Sequence, residues 1–226
     1  MAEPGPEALQ ALEAEGAKTT EFLRGIEAAG WSAPTRCPPW TVRELVVHML
    51  AMVEHMAETA GRPPVESPPV KDRISWWDYD IAEDQAATAE WVEKAAQDYP
   101  PGPLAEAWSK AVAACVAAVR RALTGGDPVV QPGEQPILLS DYVATRVLEI
   151  TIHTMDVRDA FDLPPDPSPE GLAITLGILN RRLGADPLAM GFDGADFVIA
   201  STGRRTLDAR DRERLGGAAQ RLPLLA

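Results

Sequence analysis

The chain has 226 residues, 46% of them apolar and 24% charged, which suits a folded soluble body and not a disordered segment. Its 34 acidic residues outnumber 21 basic ones for a net charge of −13, so the average field repels nucleic-acid phosphates and anionic lipid. No window approaches about 18 consecutive apolar residues and the acidic start MAEPGPEALQALEAEG has no signal-peptide pattern, which predicts a cytoplasmic protein with neither a nucleic-acid nor a membrane partner.

In chain order, Leu9, Leu12, Phe22, Leu23 and Ile26 recur among Glu and Ala over residues 6–29, which predicts a first helix stopping at Gly30. A second helix starts within CPPWTVRELVVHML. Thr41 is its N-cap, Glu44 the capping-box partner, and Trp40 with Leu45 a hydrophobic staple; the prolines of GRPPVESPPV break it after residue 60. Residues 61–102 read as a long crossover holding one helix over 83–98 and the aromatic run SWWDYD. An Ala-rich helix over 104–123 stops at Gly125 and Gly126, and after a proline-rich loop Ser140 caps another over 140–161.

These elements predict a mainly α protein: a four-helix bundle with a long crossover over residues 1–163, and a small α+β appendage over 164–226. In the appendage Pro169 opens a helix to residue 183, ADFVIAST reads as a short strand, and DARDRERLGG as a short charged helix or turn. Cys37 and Cys115 form neither a CxxC nor a disulfide framework. Both read as structural, Cys37 because the proline pair holds it ahead of the helix cap and Cys115 because its helix is Ala-rich.

On a helical wheel Leu45, Met49, Met52 and Met56 form one stripe, and His48 lies about 60° from Leu45 on its border. His55, seven residues on, is roughly 10 Å away along a straight helix, too far to share an ion with His48. Glu149 and His153 are four apart and so project from one face. With Tyr142, Thr145, Arg146 and Asp156 they fill a strip of about 100°, while apolar residues cover most of the rest of that helix.

Such a polar seam commonly faces water, and a single histidine at a core edge is ordinarily a hydrogen-bonded structural residue. Taken together, however, His48, Glu149 and His153 on two helices of one bundle can assemble a metal site with one coordination position free, as a reactive site requires. Asp156 can orient an imidazole from behind or be solvated. Arg146 and Arg158 can hold an anionic substrate or pair with nearby acids; Trp76, Trp77 and Tyr79 can wall a pocket or pin the crossover to the bundle.

WSAPTRCPPWTVRELVVHML resembles the Pro-x-x-Cys-Pro-x-Trp-[ST]-Val-x-[DE]-Leu-x-x-His-[LM] signature of the mycothiol-dependent maleylpyruvate isomerase family, and LEITIHTMDVRDA resembles its Glu-x-x-x-His-x-x-Asp signature. The order of the two motifs and the closing GRRTLDARDRERLGGAAQRLPLLA are also similar. Pro39 stands where members often carry glycine or another small residue, and the C-terminal part is shorter. The resemblance implies a DinB-like bundle in which His48, Glu149 and His153 bind a divalent metal, zinc, with mycothiol, the small thiol of certain bacteria, as cosubstrate.

A metal-held thiol ionises and attacks a small electrophile; keeping the adduct makes a transferase, and expelling it after bond rotation an isomerase. The same open position without a thiol would support hydrolysis by metal-bound water, and a metal-containing bundle without turnover would be a small-ligand-binding protein. The expected partners are a small electrophile and a thiol, and the chain is expected to be a monomer or homodimer.

Overall fold

Helices α1 (Pro4–Arg24), α2 (Val42–Gly61), α3 (Ile81–Ala96), α4 (Pro101–Leu123) and α5 (Leu139–Asp159) follow one another in a computed structural model that describes residues 4–78 and 81–225. Four of them close a ring: α4 packs on α1 and α2, and α5 packs on the same two. The second helix faces this ring with the stripe read from the sequence, so Leu45, Met49, Met52 and Met56 are all buried. Trp108 of α4 is fully buried, and its indole N–H donates to the Gly16 carbonyl of α1 at 3.3 Å. The two backbones come close because Gly16 has no side chain; a Cβ there would lie 2.5 Å from Val112 Cγ1.

The N-terminal end of α2 forms as its local signals dictate. Thr41 donates both its backbone N–H, at 2.7 Å, and its hydroxyl to Glu44 Oε2, tying the entering chain to the first turn. The first helix ends earlier than its periodicity suggests, at Arg24, and a short 3-10 turn over Ala28–Ser32 leads on. Outside the ring, α3 lies on α2.

The proline-rich loop before α5 contains a hairpin that sequence reading passed over: β1 (Val129–Val130) pairs antiparallel with β2 (Ile137–Leu138). Two-residue strands carry no alternation to detect. The crossover is tied to this hairpin by the Val65 N–H to Val129 carbonyl bond, 3.0 Å, and by the Val70 N–H to Pro136 carbonyl bond, 2.8 Å. Ser140 does not cap α5. Leu138 holds that position, and Ser140 lies in the first turn, where its N–H and hydroxyl donate to Asp127 at 3.0 and 2.5 Å.

Residues 164–225 correct the expected α+β appendage, since no strand occurs in them among the described residues. They form α6 (Pro169–Leu183), α7 (Gly194–Ser201), α8 (Ala209–Leu215) and a final 3-10 turn. The expected strand ADFVIAST lies in α7 except for its last residue, the C-cap Thr202: the Asp193 carboxylate accepts from the Asp196 N–H at 3.0 Å, and Phe197, Val198, Ala200 and Ser201 are buried at helical spacing. The N-cap outweighs the short β-branched pair Val198–Ile199.

Helix α6 covers α1 and α5. Its Ser168 cap accepts from Gly171 N–H, while the Ser168 N–H and hydroxyl donate to Oε2 of the fully buried Glu15, at 2.7 and 2.6 Å. Burial pushes the Glu15 carboxyl above its ordinary value despite these bonds. A Cβ on Gly171 would lie 2.5 Å from Glu15 Oε2, 2.8 Å from Ser168 Oγ and 2.9 Å from Thr151 Oγ1. Gly171→Ala should therefore destabilise the protein by about 1–3 kcal/mol in urea unfolding, as overpacking does; an unchanged midpoint would show that the helices do not close as tightly as this.

Candidate metal centre

With α1 and α2 on one side and α6 on the other, α5 is buried on nearly every face. The polar seam therefore does not face open water: Tyr142, Thr145 and Asp156 are buried, and the side chains of Glu149 and His153 are only 14% and 16% exposed. His48 of α2 meets this seam with the same 16% exposure. Donor atoms of His48, Glu149 and His153, one from each, lie within 4.8 Å of one another. His48 Nε2 is 3.9 Å from Glu149 Oε2, a few tenths of an ångström wider than the roughly 3.4 Å between donors of a tetrahedral ion with bonds near 2.05 Å.

Each donor is held from behind. The His48 ring lies against Trp40, centroids 5.0 Å apart, and edge-on to His153 at 5.3 Å. Burial, with the charges of His153 and Arg146 adding to it, pushes the His48 imidazole down to about 3, so it is neutral near pH 7 and keeps a lone pair for a metal. Glu149 Oε1 is paired with Arg146 Nη2 at 3.0 Å, which leaves Oε2 toward His48. The Arg146 guanidinium is in turn enclosed by Trp76, Trp77 and Tyr142, at 5.5, 5.9 and 5.4 Å from the ring centroids.

His153 Nδ1 lies 3.0 Å from Asp156 Oδ2. Burial works to raise the Asp156 carboxyl, but bonds from His153 and Arg204 outweigh it and hold the group well below the usual carboxylate range. An ionised carboxylate only accepts, so Nδ1 carries the proton and Nε2 is the free donor atom of His153.

The partner of Asp156 comes from beyond α7. Arg204 donates from Nε to Oδ1 at 2.6 Å and from Nη2 to Oδ2 at 2.7 Å, and the Cys37 thiol donates to Oδ2 at 3.3 Å. Arg36 completes the surround, donating to Asp159 at 2.8 Å and to the Arg204 carbonyl at 3.0 Å. Burial, followed by the charge of Asp156, pushes the Cys37 thiol up to about 12, so it is not a thiolate nucleophile near pH 7. Cys37, His153 and Asp156 also lie close enough to share an ion, but Arg204 already occupies both oxygens of Asp156.

Arg204, Arg36 and the Cys37 thiol contact escaped sequence reading. Nothing local marks them, because the Arg204 pair with Asp156 spans 48 positions. Of the proposed anion-holding residues, Arg146 reaches the centre but is committed to Glu149 and the aromatic rings. Arg158 does not reach it: Nε donates to the Pro164 carbonyl at 2.8 Å and the guanidinium stacks 5.0 Å over Phe22. His55 donates to the Pro132 carbonyl at 2.8 Å, and Tyr79 lies outside the described residues.

Residues 12–158 match the family described as the Mycothiol maleylpyruvate isomerase N-terminal domain. The chain belongs to that family. A solved structure of a similar fold, titled "Crystal structure of the mycothiol-dependent maleylpyruvate isomerase", aligns with 81% of this chain and 72% of its own at a TM-score of 0.52 and 16% identity. That likeness shows a shared helical fold, and the family match makes it a DinB-like helical domain. No curated protein sequence matches. No described helix is long and apolar enough to cross a membrane.

Asp156→Asn should weaken metal binding by about 10–100-fold in a chelator competition, because the amide cannot fix the His153 tautomer as a carboxylate does; unchanged affinity would remove Asp156 from this role. In metal-free protein the folded His48 value lies below the ordinary 6.5, so between about pH 6.5 and 3 the unfolded chain binds a proton that the folded one refuses. Stability is thus lost as pH falls through that window. Relative to His48→Gln, the wild type should lose up to about 2 kcal/mol more between pH 7 and 4.5 by urea unfolding; parallel losses would contradict the buried neutral imidazole.

Proposed function

We propose that His48, Glu149 and His153 bind a divalent metal, zinc, and that the protein uses it with a low-molecular-weight thiol, mycothiol, to transform a small electrophile as a transferase or isomerase. The observation that carries this reading is the convergence of two imidazoles and a carboxylate, with the His153 ring fixed by Asp156. Two nitrogens and one oxygen suit zinc, and three protein donors leave one position for an exogenous ligand. A metal bound there would lower the pKa of a coordinated thiol and make its thiolate available near pH 7.

The residues around the donors perform the rest. His48 presents a lone pair without first losing a proton, Asp156 and Arg204 keep the His153 ring in register, and Arg146 holds Glu149 at the angle that faces His48. Trp40, Trp76 and Trp77 supply apolar surface around the centre, which limits water and favours a thiolate nucleophile over hydroxide. The choice of mycothiol follows from membership of the family, and the cytoplasm, where small thiols stay reduced, is the matching compartment.

Metal content and thiol consumption should be measured together for wild type, His48→Ala and Glu149→Ala, with mycothiol and maleylpyruvate or other activated electrophiles. The wild type should hold about one metal ion per chain, and both variants should lose metal and at least about 100-fold in turnover. Full metal and turnover in the variants would overturn the assignment; metal-dependent turnover that needs no thiol would replace it with hydrolysis.

A further inference from the structure

Away from the metal centre, the C-terminal end of α6, the tail after residue 220 and the crossover segment 72–78 enclose a cleft of about 560 Å³. It shares no lining residue with the metal centre, and its volume falls in the range of small-molecule sites. Three guanidinium groups, from Arg181, Arg182 and Arg221, face two carboxylates, from Asp72 and Asp78, so the cleft is locally positive on a chain of net charge −13.

These charges divide into two sets. Arg182 builds the floor: Nη1 donates to the Ile74 carbonyl at 2.7 Å and to Asp78 at 2.9 Å, and Nε donates to the Leu224 carbonyl at 3.3 Å. Asp72 is turned inward on its own loop, where Oδ1 accepts from the Ile74 and Ser75 N–H groups and the Ser75 hydroxyl. Burial raises its carboxyl, but these bonds and the nearby charge of Arg181 outweigh that and leave it below the usual range. Arg181 and Arg221 remain on the rim, exposed, and neither makes a hydrogen bond or ion pair among the described residues. The Arg221 guanidinium lies beside Gly184, which ends α6 with φ 68°; a Cβ there would stand 3.3 Å from Nη1.

We propose that this cleft binds a metabolite-sized anion, with Arg181 and Arg221 gripping a phosphate or a pair of carboxylates above the floor made by Arg182. Guanidinium groups recognise both chemistries through paired N–H donors. Two guanidinium forks lining one cleft match a doubly charged ligand better than a single chloride. Ser75 lines the cleft, and the next two residues, Trp76 and Trp77, lie against Arg146 of the metal centre. An anion seated here would thus border the wall of that centre, although the proposal stands on the cleft alone.

Calorimetric titration of the full chain with inorganic phosphate and, separately, with succinate tests it, using wild type and the double variant Arg181→Ala, Arg221→Ala at constant ionic strength. Both side chains are exposed, so the double variant should melt at the wild-type temperature, which shows that it folds. Saturable binding of either anion, weakened at least about tenfold in the double variant, is the expected result, and the anion that shows it identifies the phosphate or carboxylate source. Absence of saturable binding of both anions up to about 10 mM, or binding equal in wild type and double variant, would overturn it.

Discussion

A carboxylate that is 1% exposed must be compensated or it gives up its charge, and Asp156 is compensated by three hydrogen-bonding partners and by the more distant Arg36, 3.8 Å away. Arg204 supplies a full positive charge through two short hydrogen bonds, His153 adds one, and the Cys37 thiol another. The consequences spread outward from that one group. Its charge selects the His153 tautomer, raises the neighbouring thiol, and draws the C-terminal segment against the bundle. Had this position been apolar, α5 would have packed as well, but no force would align the His153 ring with His48 and Glu149.

Charge alternates along the length of the site. Arg146 and Glu149 pair at one end, Asp156 and Arg204 in the middle, Arg36 and Asp159 at the other. Each cation is held by something besides its carboxylate: aromatic rings around Arg146, the Thr202 carbonyl on Arg204, the Arg204 carbonyl on Arg36. Such shared restraint stiffens the ionic row, most of all at its buried Asp156–Arg204 pair, because no member can move without leaving another unpaired. Rigidity of this kind is what a three-donor site needs to keep its open position.

Local signals were legible in the sequence and distant pairings were not. The start of α2 could be read because Thr41 and Glu44 act on each other within one turn. The convergence of His48, Glu149 and His153 could be read because Glu149 and His153 share a helix face and His48 borders an apolar stripe. Arg204 could not, since a guanidinium that ends up buried on Asp156 looks in sequence like any other arginine of a charged tail. ADFVIAST, residues 195–202, reads as a strand because Phe, Val and Ile in a short run suit either structure, and the decisive Asp193 cap lies just outside it. Likewise Asp127, not Ser140, organises the entry to α5, from thirteen positions upstream.

The dependence of Asp156 on Arg204 also sets an order of assembly. A ribosome delivers His48, Glu149 and His153 well before residue 204, so all three side chains exist while the carboxylate behind them has Arg36 at 3.8 Å but not yet Arg204. During that interval Asp156 is without its two shortest charge-assisted hydrogen bonds, so its burial is less favourable. Closure of the last helices is therefore the event that finishes the centre. Docking of the segment that carries Arg204 is thus the step that completes the support of the His153 ring.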